Sequence, residues 1–169
     1  MTLLHILLLM VFPALVIGAA LRDASSFTIP NWISAAAVAA FFPVALASGV
    51  ALPTLAISLG VGVAALALGI GMFALGWIGG GDAKLFAACG LWLGWPALLP
   101  FMAWTAIAGG LLAVGLLGAR KVGQPVAAYG PAWIGRLLTP GGNVPYGVAI
   151  AVGALAAFPE CALVHALRG

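Results

Sequence analysis

Charge is scarce in this sequence. Charged residues make up 5% of the 169-residue chain, with three acidic and six basic side chains, whereas soluble domains carry roughly 25%. So few charges exclude an ordinary soluble globular domain. The isoelectric point of about 9.3 rests on six scattered cations and not on a basic face, so we expect no nucleic-acid partner.

Clusters of metal-binding or redox-active side chains are also missing from the sequence. The two cysteines, Cys89 and Cys161, form no CxxC pair, and His5 and His165 lie near opposite ends of the chain. A metal site needs His, Cys or carboxylate side chains at ligand spacing. We therefore predict no metal and no cofactor, and we interpret both cysteines as small apolar core residues.

Apolar residues are what the sequence has in excess, at 65% of the chain with a mean hydropathy of +1.27. A membrane span needs about 20 apolar residues, and six such runs with short connections use nearly the whole chain. We predict an all-α integral membrane protein, a bundle of six transmembrane helices that forms one domain over residues 1–169. The predicted spans are approximately 3–21, 32–48, 52–77, 84–99, 101–119 and 144–167. No Lys or Arg precedes the first run, so we interpret it as a retained helix and not as a cleaved signal.

The basic residues of the loops predict the orientation. Connections one, three and five contain Arg22, Lys84, Arg120, Lys121 and Arg136, and connections two and four contain no charge. The positive-inside rule places the charged loops in the cytoplasm. Asp23 and Asp82 are separated by two predicted helices, so both should lie at that same face.

The one sizeable loop, residues 120–143, predicts a segment that lies on the bilayer surface. It combines basic residues with Tyr129 and Trp133 and is interrupted by prolines. Most tryptophans of the chain fit an interfacial belt; the six are Trp32, Trp77, Trp92, Trp95, Trp104 and Trp133.

The run Gly79–Gly80–Gly81–Asp82–Ala83–Lys84–Leu85 is the most informative stretch. An ionisable residue among apolar neighbours in a membrane protein is a hypothesis about function, and three glycines allow another backbone to approach closely. Asp82 should lie in the first turn of a helix, near its positive dipole end. Lys84 either anchors a substrate carboxylate, stabilises the aspartate pair, or is an interfacial cation that sets topology.

Two aspartates at one membrane face can hydrolyse a peptide bond. A close pair in a low-dielectric site shares one proton, so that one carboxylate takes a proton from water while the other donates to a carbonyl oxygen. A small proton-coupled transporter with the aspartates as relay groups is the alternative function, and a purely structural membrane partner is a third.

The motifs resemble those of the type IV prepilin peptidases. The glycine-aspartate run is similar to the family's GxGDxK signature, Asp23 followed by Pro30–Asn31 resembles its other catalytic segment, and Pro145–Tyr146–Gly147 resembles the motif that opens its last helix. The resemblance implies an intramembrane aspartic endopeptidase that removes the short cytoplasmic leader of type IV prepilins or pseudopilins, with Asp23 and Asp82 as the catalytic pair.

The same resemblance implies several finer expectations. We expect peptidase activity alone, as in the compact branch that serves tight-adherence (Flp-type) pili, because the cysteine-containing loop of the methylating relatives is missing. We expect a location in the bacterial or archaeal-type plasma membrane, with the active site at the cytoplasmic face and lipid around the protein. We predict no particular oligomeric state. The supporting or substrate-binding residues are expected to be Gly79, Gly80, Gly81, Lys84, Pro30, Asn31, Pro145 and Tyr146.

Overall fold

The computed structural model describes residues 3–122 and 131–168, and every regular element within these ranges is a helix. The helices are α1 Leu3–Ser26, α2 Asn31–Ala47, α3 Leu52–Ala74, α4 Gly80–Val122, α5 Ala132–Leu138, α6 Tyr146–Ala157 and α7 Ala162–Arg168, and the turn Phe158–Glu160 between α6 and α7 is a 3₁₀ helix. By length and composition, α1, α3, α4 and the unit formed by α6 and α7 can cross a membrane, and α2 is a shorter apolar helix. The chain is thus an all-α, multi-pass membrane protein.

Helix α4 is too long for one crossing and is broken at Gly94. Its 43 residues would span about 65 Å at 1.5 Å per residue, twice the hydrocarbon thickness of about 30 Å. Gly94 has φ 64° and ψ −168°. We call the parts before and after Gly94 the first and second halves of α4.

The break lies ahead of the one predicted between the spans 84–99 and 101–119. The ring of Pro96 is incompatible with a helix that continues from Trp92, because it clashes with the carbonyl four residues earlier and lacks an N–H. Proline is tolerated in the first turn of a new helix, so the irregular residue lies just ahead of it. Gly94 is suited to that place because it adopts positive φ and leaves room for Ser58, whose Oγ lies 2.9 Å from the position a Cβ would occupy.

Other predicted boundaries shift by less. The first span, predicted over 3–21, extends to Ser26, and the third, predicted over 52–77, ends at Ala74. The second, predicted over 32–48, is observed at Asn31–Ala47. The last, predicted over 144–167, begins at Tyr146 and is divided by the 3₁₀ turn, where Pro159 interrupts the helix.

The core lies where α4 and α6 meet, with α1, α2 and α3 around them. Of the hydrophobic window of Tyr146–Ala166, 67% is buried, against 22% for α1 and α3. The outward faces of the surrounding helices carry exposed large apolar side chains, as expected for a surface that faces lipid. The last helical unit is therefore the central one.

One tryptophan departs from the predicted interfacial belt. Trp92 is fully buried, stacks on Phe12 at 4.9 Å between ring centroids, and its Nε1–H donates to the carbonyl of Ala37 at 2.7 Å. It joins α1, α2 and α4, so its role is in packing. Cys89 and Cys161 are also fully buried, which confirms their prediction as core residues.

The predicted surface segment 120–143 is described only in part. Helix α4 continues to Val122, and α5 covers Ala132–Leu138. The part that contains Tyr129 and Pro125 lies outside the described residues. Trp133 of α5 is exposed.

We predict that Gly153→Ala destabilises the protein. The added Cβ would lie 2.8 Å from the carbonyl oxygen of Phe101 and the backbone nitrogen of Thr105, and would collide with the Thr105 hydroxyl. Separating α6 from α4 costs about 1–3 kcal/mol, as overpacking of a core does. A lower thermal midpoint in detergent is the expected result. Gly115→Ala, on the open side of α4, is the control, and an equal midpoint for the two variants would contradict this packing.

Candidate active site

Asp23 lies in the last turn of α1, and not in a loop beyond it. In this turn the hydroxyls of Ser25 and Ser26 donate back to the carbonyls of Leu21 and Arg22 at 2.7 Å. It ends at Phe27, a non-glycine residue with φ 53°, whose N–H donates to the carbonyl of Asp23 at 2.8 Å. This left-handed cap turns the chain toward α2 and leaves the Asp23 side chain facing inward, 4% exposed.

Asp82 is the third residue of α4, a helix that begins at Gly80, four residues before its predicted start. The N–H of Gly79, the residue before the helix, donates to Asp82 Oδ2 at 2.9 Å. This contact is one half of a capping box, in which the third residue accepts from the backbone N–H of the cap. Asp82, which was predicted to lie near a helix N-terminus, therefore also caps that N-terminus.

Asp23 is bound by the N-terminus of a different helix. The N–H of Gly147, the second residue of α6, donates to Asp23 Oδ2 at 2.7 Å. The first turn of a helix has N–H groups without partners inside the helix. The Gly147 N–H of α6 is such a group, and it binds the Asp23 carboxylate at the end of α1. The absence of a side chain at Gly147 is required, because a Cβ would lie 2.8 Å from Asp23 Oδ2 and 3.0 Å from Asp23 Cβ.

The two aspartates meet in one place. Both are buried, and together they line two adjoining cavities of about 220 and 210 Å³. Asp82 Oδ1 is buried and accepts no hydrogen bond from the described residues. Each carboxylate thus has one oxygen bound by a backbone N–H, and the second oxygen of Asp82 is left without such a donor.

The three glycines before Asp82 differ in what they do. A Cβ on Gly81 would lie 3.1 Å from Ile29 Cβ and 3.2 Å from the carbonyl oxygen of Ile29, whereas one on Gly80 would meet only the ring of Phe73, at 3.6 Å or more. Gly81 therefore allows the close approach of α4 to the loop after Asp23. Gly79 supplies the N–H that caps Asp82.

The remaining predicted residues surround the pair. The Lys84 Nζ donates to Asn31 Oδ1 at 2.8 Å, so this cation links α4 to the first residue of α2. Pro30 and Pro145 are the residues directly before α2 and α6. Tyr146, the first residue of α6, lines the larger of the two aspartate cavities.

Two arginines link the loops at this end of the bundle. Arg120 is buried and donates to the carbonyls of Leu137 at 2.9 Å and Asn143 at 2.7 Å. Arg136 donates to the carbonyl of Ser25 at 2.8 Å. The charged residues predicted to share one face thus connect the segments that carry the aspartates and the Gly147 donor.

Sequence reasoning missed Gly147 as a direct contact of the pair. It also missed Phe27, Ile78 and Asn143, which line the cavities. The signal for Gly147 was present in the glycine that follows Pro145–Tyr146, because a glycine in a first turn exposes its N–H without a side chain. Nothing local in the sequence marks the other three.

The fold and the site define a class of protein: an all-helical, multi-pass membrane protein with two buried aspartates held at converging helix termini. The model of the type IV leader peptidase family matches residues 10–114. The match covers more than half of the chain and includes both aspartates. The chain belongs to the type IV leader peptidase family, which assigns a protease activity of the aspartic type at the level of the family. Comparisons with curated proteins and with solved structures gave no match.

We predict that Gly81→Ala is more harmful than Gly80→Ala. Alanine at position 81 pushes α4 away from the Ile29 backbone, which is held by the adjoining Pro30, and should cost about 1–3 kcal/mol. Alanine at position 80 meets only a movable ring. The measurement is the thermal midpoint of each variant in detergent, and a midpoint for Gly80→Ala at or below that of Gly81→Ala would contradict the assigned contact.

Proposed function

We propose that this protein is an intramembrane aspartic endopeptidase that removes the short cytoplasmic leader of type IV prepilins or pseudopilins. The observation that carries the proposal is the burial of Asp23 and Asp82 against the same cavities, with backbone donors on both. Family membership supports a leader peptide as the substrate. Flp-type precursors are the substrates we expect first, and we expect no methylation of the product.

The proposed reaction uses the two carboxyl groups and one water molecule. One carboxylate takes a proton from the water while the water oxygen attacks the carbonyl carbon of the scissile peptide bond. The other carboxyl group, which is protonated, donates its proton to the carbonyl oxygen. The tetrahedral intermediate then collapses, the C–N bond breaks, and a proton passes to the leaving nitrogen. No covalent enzyme intermediate forms.

The surroundings of the pair suit this chemistry. The positive ends of α4 and α6 both point at the carboxylates and stabilise their negative charge. The N–H groups of Gly79 and Gly147 hold one oxygen of each aspartate in place, which fixes the direction of the oxygens that act on water and substrate. Preorganised donors of this kind need no reorganisation during the reaction.

We propose a single membrane domain that crosses six times, over residues 1–169. The six crossings are α1, α2, α3, the two halves of α4, and α6 with α7. This arrangement brings the aspartate end of the bundle to the cytoplasmic face of the plasma membrane, because Lys84, Arg120 and Arg136 lie at that end. The remaining supporting roles, for Lys84 and Asn31 above all, are in orienting the loops around the pair.

We predict that Asp23→Asn and Asp82→Asn each abolish cleavage. An asparagine has nearly the shape of the aspartate but cannot exchange the proton, so the rate should fall by at least roughly 10²-fold, the usual size of acid–base catalysis. The measurement is the mass of a candidate prepilin co-expressed with each variant. Glu160→Gln removes the one other acidic residue, which is exposed, and should leave cleavage unchanged.

The outcomes of this experiment separate the functions considered. Normal processing by either aspartate variant would remove that residue from the catalytic pair. If the protein were a proton-coupled transporter or a structural membrane partner, the unchanged protein would leave every prepilin precursor uncut, as the variants would. The insertion of each variant in the membrane is checked in parallel.

We also predict that Gly147→Ala lowers the turnover number more than it changes KM. The new methyl group would displace the Asp23 carboxylate and remove the alignment of its donor, and a misplacement of about 1 Å can cost about 10²-fold. Gly18→Ala, five residues before Asp23 in open space, is the control. Unchanged turnover with Gly147→Ala would contradict the positioning role of this N–H.

A further inference from the structure

Arg120 is a buried cation at the aspartate end of the bundle. Its exposed fraction is 8%, whereas the next residue, Lys121, is exposed. An exposed cation is sufficient to set the orientation of a membrane helix, and burying one is costly unless the charge finds partners. The burial of Arg120 therefore indicates a role that Lys121 does not have.

The partners of Arg120 are backbone carbonyls from two separate places in the chain. Its Nε–H donates to the carbonyl of Leu137, in the last turn of α5, at 2.9 Å, and its Nη2 donates to that of Asn143 at 2.7 Å. Arg120 itself lies in the last turn of α4. Because the C-terminus of a helix carries a partial negative charge, the ends of α4 and α5 both stabilise the guanidinium.

The two carbonyls lie on either side of a tight turn. We call residues 139–145, between α5 and α6, the linker. Within it the N–H of Gly142 donates to the carbonyl of Thr139 at 3.1 Å, and Gly141 has φ 72°. A Cβ on Gly142 would lie 3.5 Å from Arg120 Nη2, so the turn packs against the guanidinium. Arg120 thus holds the chain both before and after this turn.

The linker leads directly into the aspartate site. Asn143 and Val144 line the 220 Å³ cavity of the aspartate pair. Shortly after Asn143, the N–H of Gly147 donates to Asp23 Oδ2 at 2.7 Å. A shift of the linker at Asn143 therefore also moves the start of α6, and a misplacement of about 1 Å in an active site can cost about 10²-fold in rate.

From these contacts we infer that Arg120 is a positioning residue of the peptidase. By fixing the linker, it sets the position of the Gly147 N–H and, through this donor, the position of the Asp23 carboxylate. The inference rests on the proposed function and deepens it. The role requires arginine, because a guanidinium donates in several fixed directions and can bind two carbonyls at once, whereas a lysine ammonium is a compact point charge.

The first test compares kcat and KM for the cleavage of a Flp-type prepilin in detergent. Arg120→Gln removes the charge and the second donor direction, and we expect kcat to fall about tenfold or more, with a smaller change in KM, because Asp23 loses its alignment. Arg120→Lys keeps the charge and should give an intermediate kcat. Lys121→Gln removes the same charge from the exposed neighbour and should match the unchanged protein. Equal kcat values for Arg120→Gln and Lys121→Gln would overturn the inference.

The second test separates positioning of the donor from general support of the fold. Gly147→Ala displaces the same donor directly, so adding Arg120→Gln to it should lower kcat little further, because both changes act on one interaction. Losses that multiply in the double variant are typical of independent sites and would overturn the inference. The thermal midpoint of each variant is measured first, and kcat is compared at a temperature at which all are folded.

A further variant covers the case that Arg120→Gln does not fold. Gly142→Ala keeps the arginine, but the new Cβ would lie 3.0 Å from the carbonyl oxygen of Thr139 and 3.5 Å from Arg120 Nη2, so the linker has to shift. We expect a severalfold lower kcat with a smaller change in KM. A kcat equal to that of the unchanged protein would count against the inference.

An amide resonance gives a readout that does not require cleavage. In protein labelled isotopically at glycine, the Gly147 peak is the one that Gly147→Ala removes, and we expect Arg120→Gln to shift this peak and Lys121→Gln to leave it in place. If the unchanged protein cleaves no prepilin but the peak shifts in Arg120→Gln, the proposed function fails and the positioning by Arg120 stands. If the unchanged protein cleaves and Arg120→Gln changes neither the peak nor kcat, the inference fails and the peptidase remains.

Discussion

The structure depends on how two carboxylates are accommodated inside an apolar bundle. A buried charge without partners is costly, and among the described residues no side chain donates a hydrogen bond to Asp23 or Asp82. The donors are instead backbone N–H groups at the N-termini of α4 and α6. The positions of these two helix ends, and the glycines that allow the approach, follow from that requirement.

The loops around the aspartates serve the same constraint. Arg120 is buried and binds two backbone carbonyls, one of them at Asn143, shortly before the Gly147 donor. Lys84 binds Asn31 at the start of α2. The basic residues that sequence rules interpret as markers of membrane orientation are here also the ties that hold the loops in position.

The features that follow from composition and local chemistry could be predicted from the sequence: the all-helical membrane class, the buried cysteines, and the approach of Asp23 to Asp82 at one end of the bundle. The features that depend on distant partners could not. Tryptophan is a residue type typical of the interfacial belt, so the sequence predicted Trp92 to lie there. Its burial depends on residues of α1 and α2 that lie more than 50 positions earlier in the chain. The end of α1 depends on the positive φ of Phe27. The break in α4 depends on Gly94, which lies ahead of Pro96, whereas the prolines alone predict a break slightly later in the chain. Gly147 needed the fold to show which carboxylate it faces.

The central place of α6 has a consequence for biosynthesis. Ribosomes produce α1 first and α6 nearly last, yet the Gly147 N–H that holds Asp23 comes from α6 and the core is closed by it. Until α6 is inserted, the core lacks this largely buried helix and Asp23 lacks its backbone donor. We therefore expect the Asp23 site to form only after α6 has been inserted.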